Sequence, residues 1–242
     1  MGIAIPQLAP ASLDRTSGAQ VIDGSLKFNA SAHLTRTPSS AGNRNTWTWS
    51  GWVKRSDVAT SGNSLFAAYD SSTVRDVLRF DRSASGAELN LQSSQSGSTY
   101  GIYSNSRLRD TGWYHVVAIY DDAASTTADK QQLYVNGERV TSVSTENNGQ
   151  DGGSTTINNT DIHYIGARSS DGNPSLQFDG AMSQVYLIDG AALEPENFGF
   201  TDPLTNIWKP KKYTGDFNGP ADLKSEDGTF TATVDRDWET YL

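Results

Sequence analysis

The sequence predicts an all-β protein built as a sandwich of two antiparallel sheets. Short segments rich in Val, Ile, Tyr, Trp and Thr recur along the chain and are separated by clusters of Gly, Ser, Asn and Asp, a pattern typical of strands and turns. About ten such segments at intervals of roughly ten residues indicate two packed sheets. Helical spacing of apolar residues is scarce, and one helical turn is predicted over 193–199, between Pro195 and Gly199.

The strands are predicted in chain order from these segments. In 113–121, bulky residues occupy both alternating faces, which favours a central position in a sheet. Asn136-Gly137 is typical of a type I′ turn, so 133–135 and 139–141 are expected to form a hairpin. The polar stretch 144–160 predicts a mobile surface loop. The remaining predicted strands are 25–28, 33–36, 64–69, 77–82, 88–92, 162–168 and 180–189.

Half of the six tryptophans fall in the stretch 45–56, "NTWTWSGWVKRS". If this stretch is a strand, Trp47 and Trp49 lie on one face, where they are expected to fill the core. Trp52 lies on the opposite face. There it either stacks on a sugar ring or is covered by a loop or by the segment 201–242.

Composition excludes several classes of function. With 19 Lys and Arg against 28 Asp and Glu, the formal net charge is −9, which disfavours binding to nucleic acid or to an anionic membrane. The chain contains no cysteine, so disulfides and thiolate chemistry are excluded. No stretch has the roughly 18 apolar residues of a membrane span, and the N-terminus lacks the pattern of a signal peptide. We therefore expect neither membrane insertion nor signal-directed export.

Composition also divides the chain. After Gly199, prolines and the lysines Lys209, Lys211 and Lys212 become frequent. We predict an N-terminal arm over 1–19, a β-sandwich over 20–200, and a C-terminal extension or docking segment over 201–242, which is too short for a core of its own.

Five motifs in order resemble the concanavalin A-like lectin/glucanase superfamily in its laminin-G-like branch. They are "WTWSGWVKRS", "WYHVVAIYD", "LYVNGERV", "IGA" and "FDGAMSQVYLIDGAALEPENFG", and the resemblance covers about residues 20–200. It implies a jelly-roll sandwich whose concave sheet and rim loops often bind glycans, sometimes with calcium.

The flanking stretches "IPQLAPASLDRTSGAQVIDGSLKF" and "WKPKKYTG" resemble structural proteins of tailed phages, particularly from marine viral sequences. This resemblance implies a virion component in a tail fibre, a tail tip or the capsid surface. The expected partners are other virion proteins, further copies of the chain and host surface polysaccharide. The expected location is the virion, after synthesis in the host cytoplasm.

Candidate carbohydrate-binding residues combine aromatic rings with planar polar groups. The stretch 167–175 offers guanidinium, carboxylate and amide groups that suit vicinal hydroxyls, although its Asp-Gly-Asn-Pro sequence is also typical of a turn. The predicted set is Trp52, Tyr69, Arg168, Asp171 and Asn173.

Candidate metal ligands are carboxylates in two loops. Calcium requires six to eight oxygen ligands, typically, and two acidic loops meeting at the rim of the sandwich can supply them. Solvated turn residues are the alternative. The predicted set is Asp70, Asp76, Asp121 and Asp122, and no other cofactor is expected.

Catalysis is not predicted. The hydrolase members of the superfamily carry paired glutamates on one strand, and the nearest acidic run here is Asp235, Asp237 and Glu239, outside the predicted sandwich. No Gly-x-Ser-x-Gly motif occurs, and His115 lies inside a strand, where packing is expected. The leading hypothesis is a non-catalytic virion surface protein that recognises host glycans. The alternatives are a purely structural spacer and a polysaccharide depolymerase.

Overall fold

Two antiparallel β-sheets face each other in the computed structural model, which describes residues 24–56, 63–81, 88–146, 153–217, 223–224 and 231–233. Within those residues, one sheet has seven strands (sheet A) and the other has eight (sheet B). The buried apolar side chains of both sheets form one large cluster. The predicted all-β sandwich is confirmed.

Sheet A contains the tryptophan-rich strand at its centre. Its strands are β1 (Leu26–Asn29), β3 (Thr46–Arg55), β8 (Trp113–Asp121), β9 (Gln131–Val135), β10 (Glu138–Arg139), β15 (Asp179–Asp189) and β18 (Leu223–Lys224). The order is β1-β15-β3-β8-β9-β10, and β18 pairs with β15. The central position predicted for 113–121 is confirmed, because β8 lies between β3 and β9.

Sheet B consists of β2 (His33–Arg36), β4 (Asn63–Ser71), β5 (Val74–Asp81), β6 (Glu88–Gln95), β7 (Ser98–Arg107), β11 (Val143–Glu146), β12 (Ile162–Ile165) and β19 (Thr231–Thr233). Their order in the sheet is β11-β7-β6-β5-β4-β12-β2-β19. Two short hairpins lie outside the sheets. They are β13 (Arg168–Ser170) with β14 (Asn173–Ser175), and β16 (Gly199–Thr201) with β17 (Trp208–Pro210).

Helix is scarce in the described residues. The predicted turn after 193 is a 3-10 helix over Pro195–Asn197. A second helical turn, α1 (Thr127–Lys130), was not predicted. No described helix has the length and apolar character that crossing a membrane requires.

The core explains why β3 carries so many aromatic residues. Trp47 and Trp49 are 1% and 0% exposed, and the Trp49 ring stacks on Phe66 of sheet B at 6.4 Å between centroids. A Cβ atom on Gly51 would lie 2.7 Å from Cη2 of Trp49, so glycine leaves room for the indole. Burying about 150–250 Å² per tryptophan stabilises the fold by up to roughly 4–6 kcal/mol each. The core role predicted for both tryptophans is confirmed.

The segment 155–158 belongs to the interior, which corrects the prediction of a mobile surface loop over 144–160 for these residues. Thr155, Thr156 and Ile157 are at most 1% exposed. The Trp47 Nε1–H donates to Thr155 Oγ1 at 3.0 Å, and the Ile157 N–H donates to the Asp76 carboxylate at 3.1 Å. Because these partners lie far away in the sequence, the polar composition of the stretch did not reveal its burial.

A layer formed by the C-terminal part of the chain covers the outer face of sheet A. On that face Tyr186 packs with Phe198, Tyr213 and Phe217 at centroid distances of 5.9, 5.9 and 6.1 Å. Val117, Ile119 and Ile188 belong to the same buried cluster. The segment 191–217 therefore lies against the sandwich.

Candidate functional site

A cleft of about 730 Å³ opens where the edge of sheet A faces β7 of sheet B. We call it cleft 1. Its volume lies within the range of small-ligand pockets. Its walls combine three tryptophans with hydrogen-bonding side chains. The residues that matter here are Trp52, Trp113, Trp208, Asn136, Glu138, Arg139 and Asn206.

Trp113 and Trp208 supply the accessible aromatic surface of cleft 1. Trp113 is the first residue of β8 and is 41% exposed, although it is a large apolar side chain. Trp208 begins β17 and is half-buried. Its ring lies over the hairpin turn, because a Cβ on Gly137 would approach Trp208 to 2.4 Å. A flat ring of this kind can stack on the C–H face of a sugar.

Trp52 lies behind these rings. Its side chain is 8% exposed, and its ring packs against His115 at 5.1 Å between centroids. His115 in turn stacks against Trp208 at 5.9 Å. Of the two environments considered for Trp52, the structure therefore has the covered one: His115 packs on the Trp52 ring, and Trp208 stacks on His115.

Hydrogen bonds fix this aromatic wall. The Trp208 Nε1–H donates to His115 Nδ1 at 3.1 Å, and His115 Nε2 lies 2.9 Å from Ser50 Oγ. Because an indole N–H can only donate, Nδ1 is the acceptor and the ring proton sits on Nε2, facing Ser50. Burial lowers the pKa of His115 to about 3, so the ring is neutral at physiological pH. The packed role predicted for His115 is confirmed.

The loop that carries Trp208 is held by Asp202. Its carboxylate lies 2.7 Å from the Lys209 ammonium and accepts the Leu204 N–H at 2.9 Å. The hydrogen bond from Lys209 lowers the pKa of Asp202 to about 2. Asn206, in the same loop, adopts a φ of 54° and donates its N–H to the Asp202 carbonyl at 2.8 Å. The loop therefore places both an amide and an indole on cleft 1.

The β9–β10 hairpin supplies the opposite polar wall. Asn136 and Gly137 have φ values of 51° and 82°, which confirms the predicted turn with two positive φ values. Asn136 Oδ1 accepts the His115 N–H at 2.9 Å. Arg139 Nη2 donates to Asp129 Oδ1 at 2.7 Å and to the Ala128 carbonyl at 2.9 Å.

The other predicted carbohydrate-binding residues do not join Trp52. Tyr69 is 9% exposed and packs with Val77 and Tyr164 in a cluster on sheet B. Arg168, Asp171 and Asn173 lie on the β13–β14 hairpin. Asp171 and Gly172 have positive φ values of 50° and 82°, so the turn chemistry expected of this stretch is present.

The predicted calcium ligands are not gathered into one site. Asp76 is 1% exposed and accepts hydrogen bonds from the Thr156 and Ile157 N–H groups. Burial raises the pKa of Asp76. Asp122 pairs with Lys130 at 3.1 Å, Asp121 accepts the Ala123 N–H, and Asp70 is exposed. Among the described residues, no three His, Asp or Glu side chains form a group that could hold a metal.

Sequence reasoning missed most of cleft 1. Trp113 was assigned only to a strand, and Trp208 fell in the segment predicted as an extension. One feature of the sequence could have indicated the cleft: Trp113 is the first residue of its strand, and the end of a strand lies at the rim of a sandwich. The acidic run Asp235, Asp237 and Glu239 lies outside the described residues.

Comparison with solved structures shows the same fold at low identity. Domain 4 of the extracellular arabinanase AbnA from Geobacillus stearothermophilus, in complex with arabinotriose, aligns with a TM-score of 0.55 and 17% identity over 71% of this chain and 73% of that chain. A heptameric SAP-like pentraxin from Limulus polyphemus aligns with a TM-score of 0.53 and 15% identity over 88% and 95% of the two chains.

A third structure is the CBM40 of the Ruminococcus gnavus IT-sialidase bound to α2,3 sialyllactose, with a TM-score of 0.52 and 13% identity over 74% and 96% of the two chains. A search of curated proteins found no match. A family model described as the concanavalin A-like lectin/glucanases superfamily, Laminin_G_3, matches residues 28–197. That range is more than half of the chain, and the chain therefore belongs to the concanavalin A-like lectin/glucanases superfamily.

Proposed function

We propose that this protein is a non-catalytic glycan-binding module and that cleft 1 is its binding site. One observation carries the proposal: Trp113 exposes 41% of its surface beside Trp208 in a cleft lined by amide, carboxylate and guanidinium groups. An aromatic ring beside planar hydrogen-bonding groups matches the two sides of a sugar, its C–H face and its hydroxyls.

Two solved structures of the same fold support the class of ligand. The arabinanase domain was solved with arabinotriose and the sialidase module with sialyllactose. Both ligands are oligosaccharides.

The carboxylates of cleft 1 favour binding over hydrolysis. Glu138 and Glu196 line the cleft, and both are exposed. A glycosidase needs a carboxylic acid in an environment that excludes water, paired with a second carboxylate across the substrate. Exposed glutamates lack that environment, so the depolymerase alternative has less support.

We further propose that the setting is a virion surface and the ligand a host surface polysaccharide. The support is the resemblance of the flanking stretches to structural proteins of tailed phages. Many copies on one particle would raise a weak affinity through effective concentration. Labelling of purified particles with an antibody against the protein, together with light scattering of the isolated protein, tests the setting and the expected homo-oligomer.

A purely structural module is the second candidate, and one observation favours it. The segment 191–217 already covers the outer face of sheet A with Phe198, Tyr213 and Phe217. A domain that fills its own sheet face in this way can serve as a spacer without a ligand.

Binding to an array of host envelope polysaccharides and neutral oligosaccharides separates the two candidates. We expect saturable binding that Trp113→Ala weakens about two- to twelvefold, if stacking on a sugar contributes as much free energy as an aromatic pair, about 0.5–1.5 kcal/mol. The matched control is Leu204→Ala, because Leu204 is 87% exposed and does not line cleft 1. Absence of binding by the folded protein would leave the structural module.

The same array tests the remaining sequence predictions. Loss of binding in Asp171→Ala and Asn173→Ala, with Trp113→Ala unaffected, would move the site to the β13–β14 hairpin, which carries Arg168, and to Tyr69. A repeat with a chelator tests the predicted calcium dependence.

A further inference from the structure

A second cleft, of about 580 Å³, adjoins cleft 1 on the same open side of the sandwich. We call it cleft 2. Its lining includes Ile102, Thr127, Asp129, Gln131 and Gln132. Arg139, Val140 and Thr141 line both clefts. The two clefts therefore lie on either side of one short stretch of chain.

That stretch is the connection from β10 in sheet A to β11 in sheet B, residues 140–142, and we call it the bridge. It is attached to both sheets, since the Val140 N–H donates to the Leu133 carbonyl at 2.8 Å and the Ser142 carbonyl accepts the Asn105 N–H at 2.9 Å. The half-buried Val140 packs on the core. The bridge therefore links the two sheets at the open side of the sandwich, and its residues Val140 and Thr141 line both clefts.

Arg139 presents hydrogen-bond donors at this junction. Both of its described hydrogen bonds, to Asp129 and to the Ala128 carbonyl, come from Nη2. A guanidinium has five N–H donors in a fixed plane. Donors on Nη1 and Nε are therefore left for the hydroxyls of a ligand that crosses from one cleft to the other.

Gln131 lies in the lining of cleft 2 and carries a buried hydrogen-bond acceptor. Its side chain is 4% exposed, and Oε1 has no hydrogen-bond partner among the described residues. A buried acceptor without a partner typically costs about 1–3 kcal/mol. A donor brought by a ligand would remove that cost, so this glutamine points to a ligand with hydroxyl groups.

The ionisable groups of the two linings set the charge of the ligand. They are three carboxylates, on Asp129, Glu138 and Glu196, and one guanidinium, on Arg139. Since Asp129 and Arg139 pair with each other at 2.7 Å, two carboxylates remain without a cation among the lining residues. An anionic polysaccharide would meet like charge in cleft 1, whereas a neutral one would not.

We propose that clefts 1 and 2 form one groove that binds a linear, neutral oligosaccharide lengthwise across the bridge. The proposal rests on the function proposed for cleft 1 and extends it to the length and charge of the ligand. Sugar units in cleft 1 stack on Trp113, the unit over the bridge meets Arg139, and units in cleft 2 reach Gln131.

The test is affinity against chain length. The probes are neutral gluco-, xylo-, manno- and arabino-oligosaccharides from disaccharide to octasaccharide, with hyaluronan oligosaccharides as the anionic series, measured by calorimetry on the full chain. We expect affinity to rise about tenfold or more with length and then to level off once the groove is filled. The anionic series is expected to bind more weakly at every length.

The variant Gln131→Leu distinguishes binding along the whole groove from binding in cleft 1 alone. The substitution should remove most of the gain from length, while the thermal midpoint stays equal or rises because an unsatisfied acceptor is replaced by an apolar group. The matched control is Gln95→Leu at the end of β6, since Gln95 lines neither cleft.

Three outcomes would contradict the proposal, and each contradicts a different part of it. Binding that is independent of length, with Gln131→Leu like the wild type, sinks the groove and leaves cleft 1. Preference for hyaluronan sinks the assignment of a neutral ligand. Absence of binding at every length and across the array sinks the function proposed for cleft 1 together with the groove.

Discussion

His115 shows how a single buried residue holds the aromatic wall of cleft 1. Trp52 packs on it, Trp208 donates to its Nδ1, and Ser50 lies at its Nε2. All these contacts suit the neutral ring. Protonation of Nδ1 would point a second ring N–H at the indole N–H of Trp208. It would also place a positive charge on His115, a residue that is only 1% exposed.

The first prediction concerns stability against pH. Burial lowers the pKa of His115 to about 3 and that of His163 to about 4, whereas the pKa of a histidine in the unfolded chain is about 6.5. Between these pH values the unfolded chain binds more protons than the folded one. The free energy of unfolding should therefore be highest above about pH 6.5 and should decrease as the pH drops toward 3.

His115→Gln should flatten this fall, because glutamine does not titrate. Urea unfolding followed by tryptophan fluorescence at several pH values measures the slope, with Leu204→Ala as the control that leaves all histidines in place. An equal slope in His115→Gln and the wild type would contradict the assignment of His115 as a buried neutral ring.

At the scale of the element, the β9–β10 hairpin couples local turn chemistry to the cleft. The turn needs positive φ at Asn136 and Gly137, which asparagine and glycine tolerate. Trp208 occupies the space next to Gly137 where a side chain would stand. The same glycine therefore serves the turn and the seat of an aromatic ring of cleft 1.

Gly137→Ala and Gly172→Ala separate these two roles. Both positions have a φ of 82°, but a Cβ on Gly172 would have no atom of the described residues within 4 Å, whereas one on Gly137 would lie 2.4 Å from Trp208. Each variant should lose about 1–2 kcal/mol for the backbone conformation. We expect a further loss in stability, and weaker glycan binding, in Gly137→Ala alone. Equal stability and binding of the two variants would show that Trp208 moves aside without cost.

At the scale of the whole molecule, the sandwich carries a third layer. The ring centroid of Tyr213 lies 5.1 Å from that of Phe198 and 5.4 Å from that of Phe217. All three rings belong to the cluster on the outer face of sheet A. The part of the chain after residue 200 therefore contributes to the domain: residues up to 217 supply this layer, β18 joins sheet A and β19 joins sheet B.

Tyr213→Ala should lower the free energy of unfolding by about 1–3 kcal/mol, less than the loss of a fully buried aromatic ring, because the side chain is half-buried. Binding of a hydrophobic dye should rise as apolar surface on sheet A opens. Tyr100→Ala is the matched control, since Tyr100 is also half-buried but lies on sheet B. A change no larger than that of the control would show that the layer adds little stability.

The features that the sequence predicted correctly depend on neighbours in the chain. Alternation along β3 placed Trp47 and Trp49 in the core, because side chains of a strand alternate between its faces. Asn136-Gly137 predicted its turn, because few other residue pairs accept two positive φ values. Order and spacing of the motifs predicted the superfamily.

Features decided by the tertiary structure depend on residues that are far apart in the chain. Trp208 and His115 are 93 residues apart, and their hydrogen bond holds the ring of His115 that packs on Trp52 and helps to shape cleft 1. Asp76 binds the Ile157 N–H across 81 residues, which buries a stretch whose composition indicated a loop. Periodicity and turn chemistry report only local conformation. The sequence by itself therefore determined the sandwich, its core strand and its hairpin, whereas packing of distant segments decided which aromatic rings are covered and which line the cleft.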